Sequence, residues 1–211
     1  MRPITPLRRL LTTLTATAAV ALASTGAAVA VPAAVGVPAS TAPFSPASGP
    51  GPVLALRPVA ELSAERLATA DLVAAAKWGT TAPIDDPARE QQVLDAVAAR
   101  ATELGADPDE IRTVFRDQIE ANKTVQRGLF RRWTDHPDQA PVTRPDLAVV
   151  RQEINRVTGA LVEALAATAT DRDAPACRPE LALAALLVHH EDRLDAPHTR
   201  ALTRSLASVC R

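Results

Sequence analysis

Arg66 and Lys77 are the only cations in RLATADLVAAAKW (66–78) and stand 11 residues apart. At about 100° per residue that spacing is roughly 20° past three full helical turns, so the two charges share a face. The rest of that face is apolar, with Val59, Leu62, Ala70 and Val73 recurring by threes and fours. Arg151 interrupts a second apolar seam, Leu147, Val150, Ile154, Leu161 and Leu165. Gln118, Asn122 and Gln126 occupy the middle of a third, which runs from Ile111 and Phe115 to Leu129 and Trp133. Arg89 and Glu90 fall in the first turn of a helix announced by PIDDPAREQQV, where an arginine opposes the helix dipole unless an anion also sits there.

An unpartnered buried cation costs several kcal/mol. Arg66, Lys77 and Arg151 have no carboxylate at i±3 or i±4. Any one of them could carry its head to water along its own stem. As a set, Arg66, Lys77, Arg89 and Arg151 point to a water-poor hollow for a compact molecule with two carboxylates, gripped from both ends along about 16 Å of helix. Asn122 and Gln126, one turn apart, add neutral donors. No Ser-His-Asp grouping suggests a nucleophile. The chain uses 21 arginines and two lysines, Lys77 and Lys123, so a lysine at 77 departs from habit and suits a point contact that a planar guanidinium would not fit.

These side chains need helices to hold them. From Pro58 onward the period is helical, without the alternation or Asn-Gly turns of hairpins. The pattern predicts an all-α, single-domain bundle of six helices, at about 58–78, 87–104, 108–134, 144–170, 178–191 and 195–209. Asp86 before Pro87 reads as an N-cap with proline at the first helical position, Gly105 closes the second helix, and Pro108 opens the third. With no tyrosine and 2% aromatic residues, the core must be Leu, Val, Ile and Ala.

Residues 1–30 have the parts of an export signal: Arg2, Arg8 and Arg9, an apolar run from Leu10 to Ala23, and Ala28-Val29-Ala30 as a small-x-small cleavage site. The alternative is an uncleaved anchor, for which the threonines make a poor bilayer span. Residues 31–57 are rich in Pro, Ala, Gly and Ser and read as a flexible leader, leaving 58–211 as the folded domain, exported and free of the membrane. Without the three signal arginines, 20 basic face 24 acidic side chains, the wrong balance for nucleic acid. In an exported chain, Cys177 and Cys210 read as a structural disulfide. His136, His189, His190 and His198 have no ligand spacing, and no metal site is expected; they read as surface or interface residues.

RLATADLVAAAKW, PIDDPAREQQV, RDQIEANKTVQ and DLAVVRQEINRVTGALVEAL resemble the successive site segments of the all-helical chorismate mutases. The export signal with the late cysteine pair resembles the exported subclass. The steps of 11 from Arg66 to Lys77, 12 to Arg89 and 4 from Asn122 to Gln126 fit, and the resemblance spans about 58–210. It implies an isomerase that rearranges chorismate to prephenate by an intramolecular Claisen shift, with no cofactor and no covalent intermediate. Carried onto this chain, Arg66, Arg89 and Arg151 would hold the carboxylates, Lys77 and Gln126 would reach the ether oxygen, and Glu90 the ring hydroxyl. Asn122 and Asp86 would complete the pocket, with Val93 as wall. Intracellular relatives complete each site with a partner's arginine; Arg151 lies in a later helix of the same chain, so a homodimer with sites inside each protomer is expected. The rivals are a non-catalytic exported module binding a small dicarboxylate or a protein partner, and a lyase acting on an isochorismate-type substrate.

Overall fold

The computed structural model describes residues 52–211. The signal-peptide reading and most of the leader reading lie outside them. Seven helices follow in order: α1 (Pro52–Lys77), α2 (Pro87–Glu103), α3 (Pro108–Asp135), α4 (Leu147–Ala167), α5 (Ala169–Asp173), α6 (Cys177–Asp192) and α7 (Ala196–Ser205). A 3-10 turn, Pro137–Gln139, follows α3. Among the described residues no helix is long and apolar enough to cross a membrane.

Helix α1 is central among the described helices and packs against α3, α4, α6 and α7. Its alanines let neighbours approach closely, and Leu56, Val59, Ala60, Leu67 and Ala70 form the centre of the core with Ile111, Phe115, Leu161, Leu165 and Leu202. The helix begins at Pro52, six residues inside the segment read as leader, and carries Pro58 within it. Leu56 is fully buried, and Arg57 ties this first stretch to Glu61 at 2.6 Å and to Glu191 on α6 at 2.7 Å. Tertiary burial thus carries the helix through a proline that local rules take as a start.

The α2 cap matches its sequence signal, and α3 starts at Pro108 as expected, with a cap that the sequence reading does not assign. Asp86 accepts from the Arg89 N–H at 3.1 Å ahead of Pro87, and Asp107 accepts from Asp109 and Glu110 ahead of Pro108. Gly105 takes φ 71°, a left-handed conformation that glycine adopts without strain.

The expected six-helix count is corrected to seven among the described residues: the long fourth helix ends at Ala167 and a separate five-residue α5 follows. The break is at Thr168, whose hydroxyl donates to Ala164 O at 2.7 Å. It turns Arg172 inward until 1% of it is exposed, with Nε donating to Val209 O at 2.9 Å and Nη1 to Leu165 O at 3.1 Å. A cation buried against backbone carbonyls is a tertiary feature without a local signal. Nearby, Cys177 and Cys210 form the expected disulfide, their Cα atoms 5.8 Å apart. Helix α7 stops at Ser205 rather than near 209.

Candidate active site

Helices α1 to α4 surround a cavity of about 120 Å³, and all nine residues singled out from the sequence line it: Arg66, Lys77, Asp86, Arg89, Glu90, Val93, Asn122, Gln126 and Arg151. Val73, Ile84, Ile119, Leu147 and Ile154 supply its apolar wall, and Lys123 joins the lining.

Arg66 is 5% exposed. Its Nε donates to Thr158 Oγ1 on α4 at 3.3 Å, its guanidinium lies 5.6 Å from the centroid of the Phe115 ring, and its Nη1 has no partner. Burial lowers its pKa to about 10, so the group remains charged at neutral pH but lacks a carboxylate partner. Lys77 ends α1, and its ammonium donates to Pro83 O at 2.9 Å. Desolvation lowers its pKa, opposed by Asp86 and reinforced by Arg151 across the cavity. Trp78 anchors this helix end against Phe130 and Trp133, with ring centroids 5.1 and 5.3 Å apart. Gly79, at φ 68°, lets the chain turn at once into the loop that brings Pro83 back to Lys77.

Helix α2 presents its N-terminus to the cavity, with Arg89 half-buried and its Nη1 donating to Gln92 Oε1 at 3.2 Å. On α3, Gln126 Nε2 donates to Asn122 Oδ1 at 2.6 Å, and Asn122 Nδ2 to Arg66 O at 3.5 Å, so the two amides are locked to α1. Gln126 Oε1 is buried without a partner. Gln118, in the same amide stripe, points elsewhere: it is 1% exposed and bonds Ser63 Oγ at 2.8 Å and Ser205 O at 3.2 Å, joining α1, α3 and α7.

One expectation needs correction. Arg151 is exposed, so it closes the cavity from the solvent side rather than from within a dry core. His198, read as a surface or interface residue, is half-buried and bridges Asp195 (Nδ1 to Oδ1, 2.6 Å) and Asp71 (Nε2 to Oδ1, 3.3 Å). Sequence reasoning also missed Lys123, 7% exposed, although the scarcity of lysine that drew attention to Lys77 applied equally to it. A larger groove of about 360 Å³ lies between α6 and α7, but Leu and Ala dominate its walls and it gathers no comparable set of charges. Among the described residues, no group of three or more His, Cys, Asp or Glu side chains is placed to hold a metal ion.

Fold and cavity together define an all-α protein with a fixed field of cations and amide donors around space for a small polyanion. A family model described as chorismate mutase type II matches residues 58–127. The secreted chorismate mutase of Mycolicibacterium smegmatis is 38% identical over 156 residues, 74% of this chain and 86% of the relative. Among solved structures, the chorismate mutase from Burkholderia phymatum superposes with a TM-score of 0.73 at 35% identity, covering 77% of this chain and 99% of that one. That from Burkholderia thailandensis gives 0.71 at 40% identity, covering 74% and 99%. The chain belongs to the chorismate mutase type II family.

Proposed function

We propose that the protein is an exported chorismate mutase that converts chorismate to prephenate in a pocket formed by a single protomer. The observation that carries this reading is Arg66, a buried charged guanidinium with an unpartnered Nη1 in a cavity also lined by Lys77, Arg89 and Arg151. A buried cation in that state calls for an anion, and a dicarboxylate meets several such groups at once. Arg66, Arg89 and Arg151 take the carboxylates, and Asp86, Asn122 and Val93 shape the space around them.

The reaction breaks the ether C–O bond and forms a C–C bond within one molecule, with no proton transfer and no second substrate. As the C–O bond lengthens, negative charge grows on the ether oxygen. The Lys77 ammonium and a Gln126 amide N–H, aimed there, stabilise the transition state more than the ground state. Their placement costs nothing during the reaction, because Pro83 and Asn122 already hold them. Gripping both carboxylates folds the enolpyruvyl arm over the ring, which supplies rate through orientation. Glu90 accepts from the ring hydroxyl.

Residues 1–30 act as a cleaved signal and the chain up to the start of α1 as a leader; homologues named as secreted support export. The protein acts as a homodimer, an expectation carried by the family; that each site is complete within one chain is supported by all nine residues lining one cavity of a single chain. The test is a prephenate assay on the mature protein beside Lys77→Ala and Arg151→Ala. Prephenate from wild type is expected, with a loss of a hundredfold or more in Lys77→Ala, about the cost of removing one transition-state donor, and a similar loss in Arg151→Ala through the weakened grip that orients the substrate. No prephenate, or variants equal to wild type, would leave a binding module instead, and other products would point to a lyase.

A further inference from the structure

Lys123 is absent from the roles above, yet it is the most heavily paired cation near the cavity. Its ammonium reaches both oxygens of Glu90, at 3.0 and 3.1 Å, together with Asp85 at 3.3 Å and Glu120 one turn away on α3. Arg127, a turn further along α3, also pairs with Asp85. Two cations of α3 therefore meet three carboxylates drawn from the loop after α1, from the first turn of α2 and from α3 itself.

Burying a lysine to 7% exposure is costly unless its charge is well satisfied. A surface pair would have held α2 to α3 at less cost. What this position adds is control over Glu90. A glutamate has three rotatable bonds, and an ammonium that touches both of its oxygens as a point charge fixes where the carboxylate sits and narrows its rotation. Glu90 Oε1 also accepts from the Asp86 N–H at 3.4 Å, so the carboxylate is held at two points around the α2 N-terminus. Through Asp85 the same ammonium ties down the loop 79–86, whose Pro83 carbonyl receives the Lys77 ammonium. With its charge matched by carboxylates, Lys123 does not compete with Arg66, Lys77, Arg89 and Arg151 for the guest.

We propose that Lys123 is a positioning residue: it sets the Glu90 carboxylate, through direct contact with both oxygens, in the orientation that receives the substrate's ring hydroxyl. The proposal rests on the reading of Glu90 above. Without Lys123, Glu90 would face Asp85 and Glu120 as like charges, with Asp86 beside it; the remaining cations around it would be Arg127 on α3, Arg89 on α2, Lys77 on α1 and Arg151 on α4. Three crowded carboxylates favour taking up a proton, and a protonated or displaced Glu90 is a poorer acceptor.

The experiment is a double-mutant cycle on the full mature protein with Lys123→Met, Glu90→Gln and the pair, following kcat/KM for chorismate across pH 4.5–8 and thermal unfolding for each. Lys123→Met is expected to lose about ten- to a hundredfold in kcat/KM and to move the acid limb of its pH profile upward relative to wild type. In the Glu90→Gln background the same substitution should cost less than about twofold and shift no limb. Lys123→Gln, which fills the same space, carries the same expectation should the Met variant not fold. Losses that multiply in the double variant, or a Lys123 variant with wild-type kcat/KM and pH profile beside an impaired Glu90→Gln, would overturn the proposal alone. A fully active Glu90→Gln would remove the role of Glu90, and the proposal with it.

Discussion

Arg66 reaches from α1 to α4, where its Nε donates to Thr158 Oγ1 at 3.3 Å, and this single bond leaves one end of the guanidinium, Nη1, unpartnered. The hydroxyl orients the group without neutralising it. The charge stays available for a guest, and the cost of keeping it buried is borne by the unliganded protein.

That cost has a measurable sign. Arg66→Met should lose at least a hundredfold in kcat/KM while its Tm stays equal to wild type or rises, because replacing an uncompensated buried charge by an apolar chain of similar length removes a desolvation penalty. The wild type should gain Tm with a dicarboxylate inhibitor, and the variant should not. Differential scanning fluorimetry with and without ligand reads both. A clear fall in Tm for the variant would make Arg66 a structural residue.

Gln126 donates through an amide at any pH, so wild-type kcat/KM should vary little from about pH 5 to 8, above the ordinary carboxylate range. Gln126→Glu must be protonated to donate to the ether oxygen and should lose activity as pH rises. Parallel pH profiles for the two proteins would remove Gln126 from that role.

His198 is held between Asp71 on α1 and Asp195 at the start of α7. The hydrogen bond with Asp71, then that with Asp195, outweighs burial and raises its pKa from 6.5 to about 9. A folded-state pKa above the unfolded one means that the stabilisation is complete below pH 6.5 and fades as pH climbs through about 9. Allowing for the half-exposed Asp71, about 1–2 kcal/mol should be lost over that window. Urea unfolding at pH 6 and pH 9.5 measures it, and His198→Gln should flatten the dependence.

The Cys177–Cys210 bridge closes 33 residues of chain. Its removal should lower stability by about 3–4 kcal/mol through the unfolded state. Neither cysteine lines the cavity, so kcat/KM of Cys177→Ala/Cys210→Ala should match wild type at temperatures where the variant remains folded. Urea melts with and without reductant provide the comparison.

The legible parts of this protein share a short range. Asp86-Pro87, Gly105 and Pro108 start or terminate helices through conformations and bonds confined to one turn, so their signals sit beside the effect. The cations and amides of the cavity were legible for a related reason: on a helix, spacing sets the face, and charges interrupting an apolar stripe mark the face that needs a partner, while Asp86, Glu90 and Val93 were placed in the pocket by the family resemblance. Features that depend on distant residues escaped. The inward turn of Arg172 after Thr168 depends on the Val209 and Leu165 carbonyls that receive it, the start of α1 on the burial of Leu56, and the role of Lys123 on carboxylates of two other elements. Lys123 carried its hint in composition, but a single buried lysine has no periodic signature.

Residue order by itself determined the all-helical class, the inward lines of Arg66, Lys77, Asn122 and Gln126, and the cysteine pair, because periodicity and capping act along the chain. Only the tertiary structure decided that α2 and α4 stand where Arg89 and Arg151 meet those lines across one cavity. The same packing left Arg66 Nη1 unpartnered and matched Lys123 to three carboxylates, since burial and ion pairing are set by neighbours that the chain brings together only on folding.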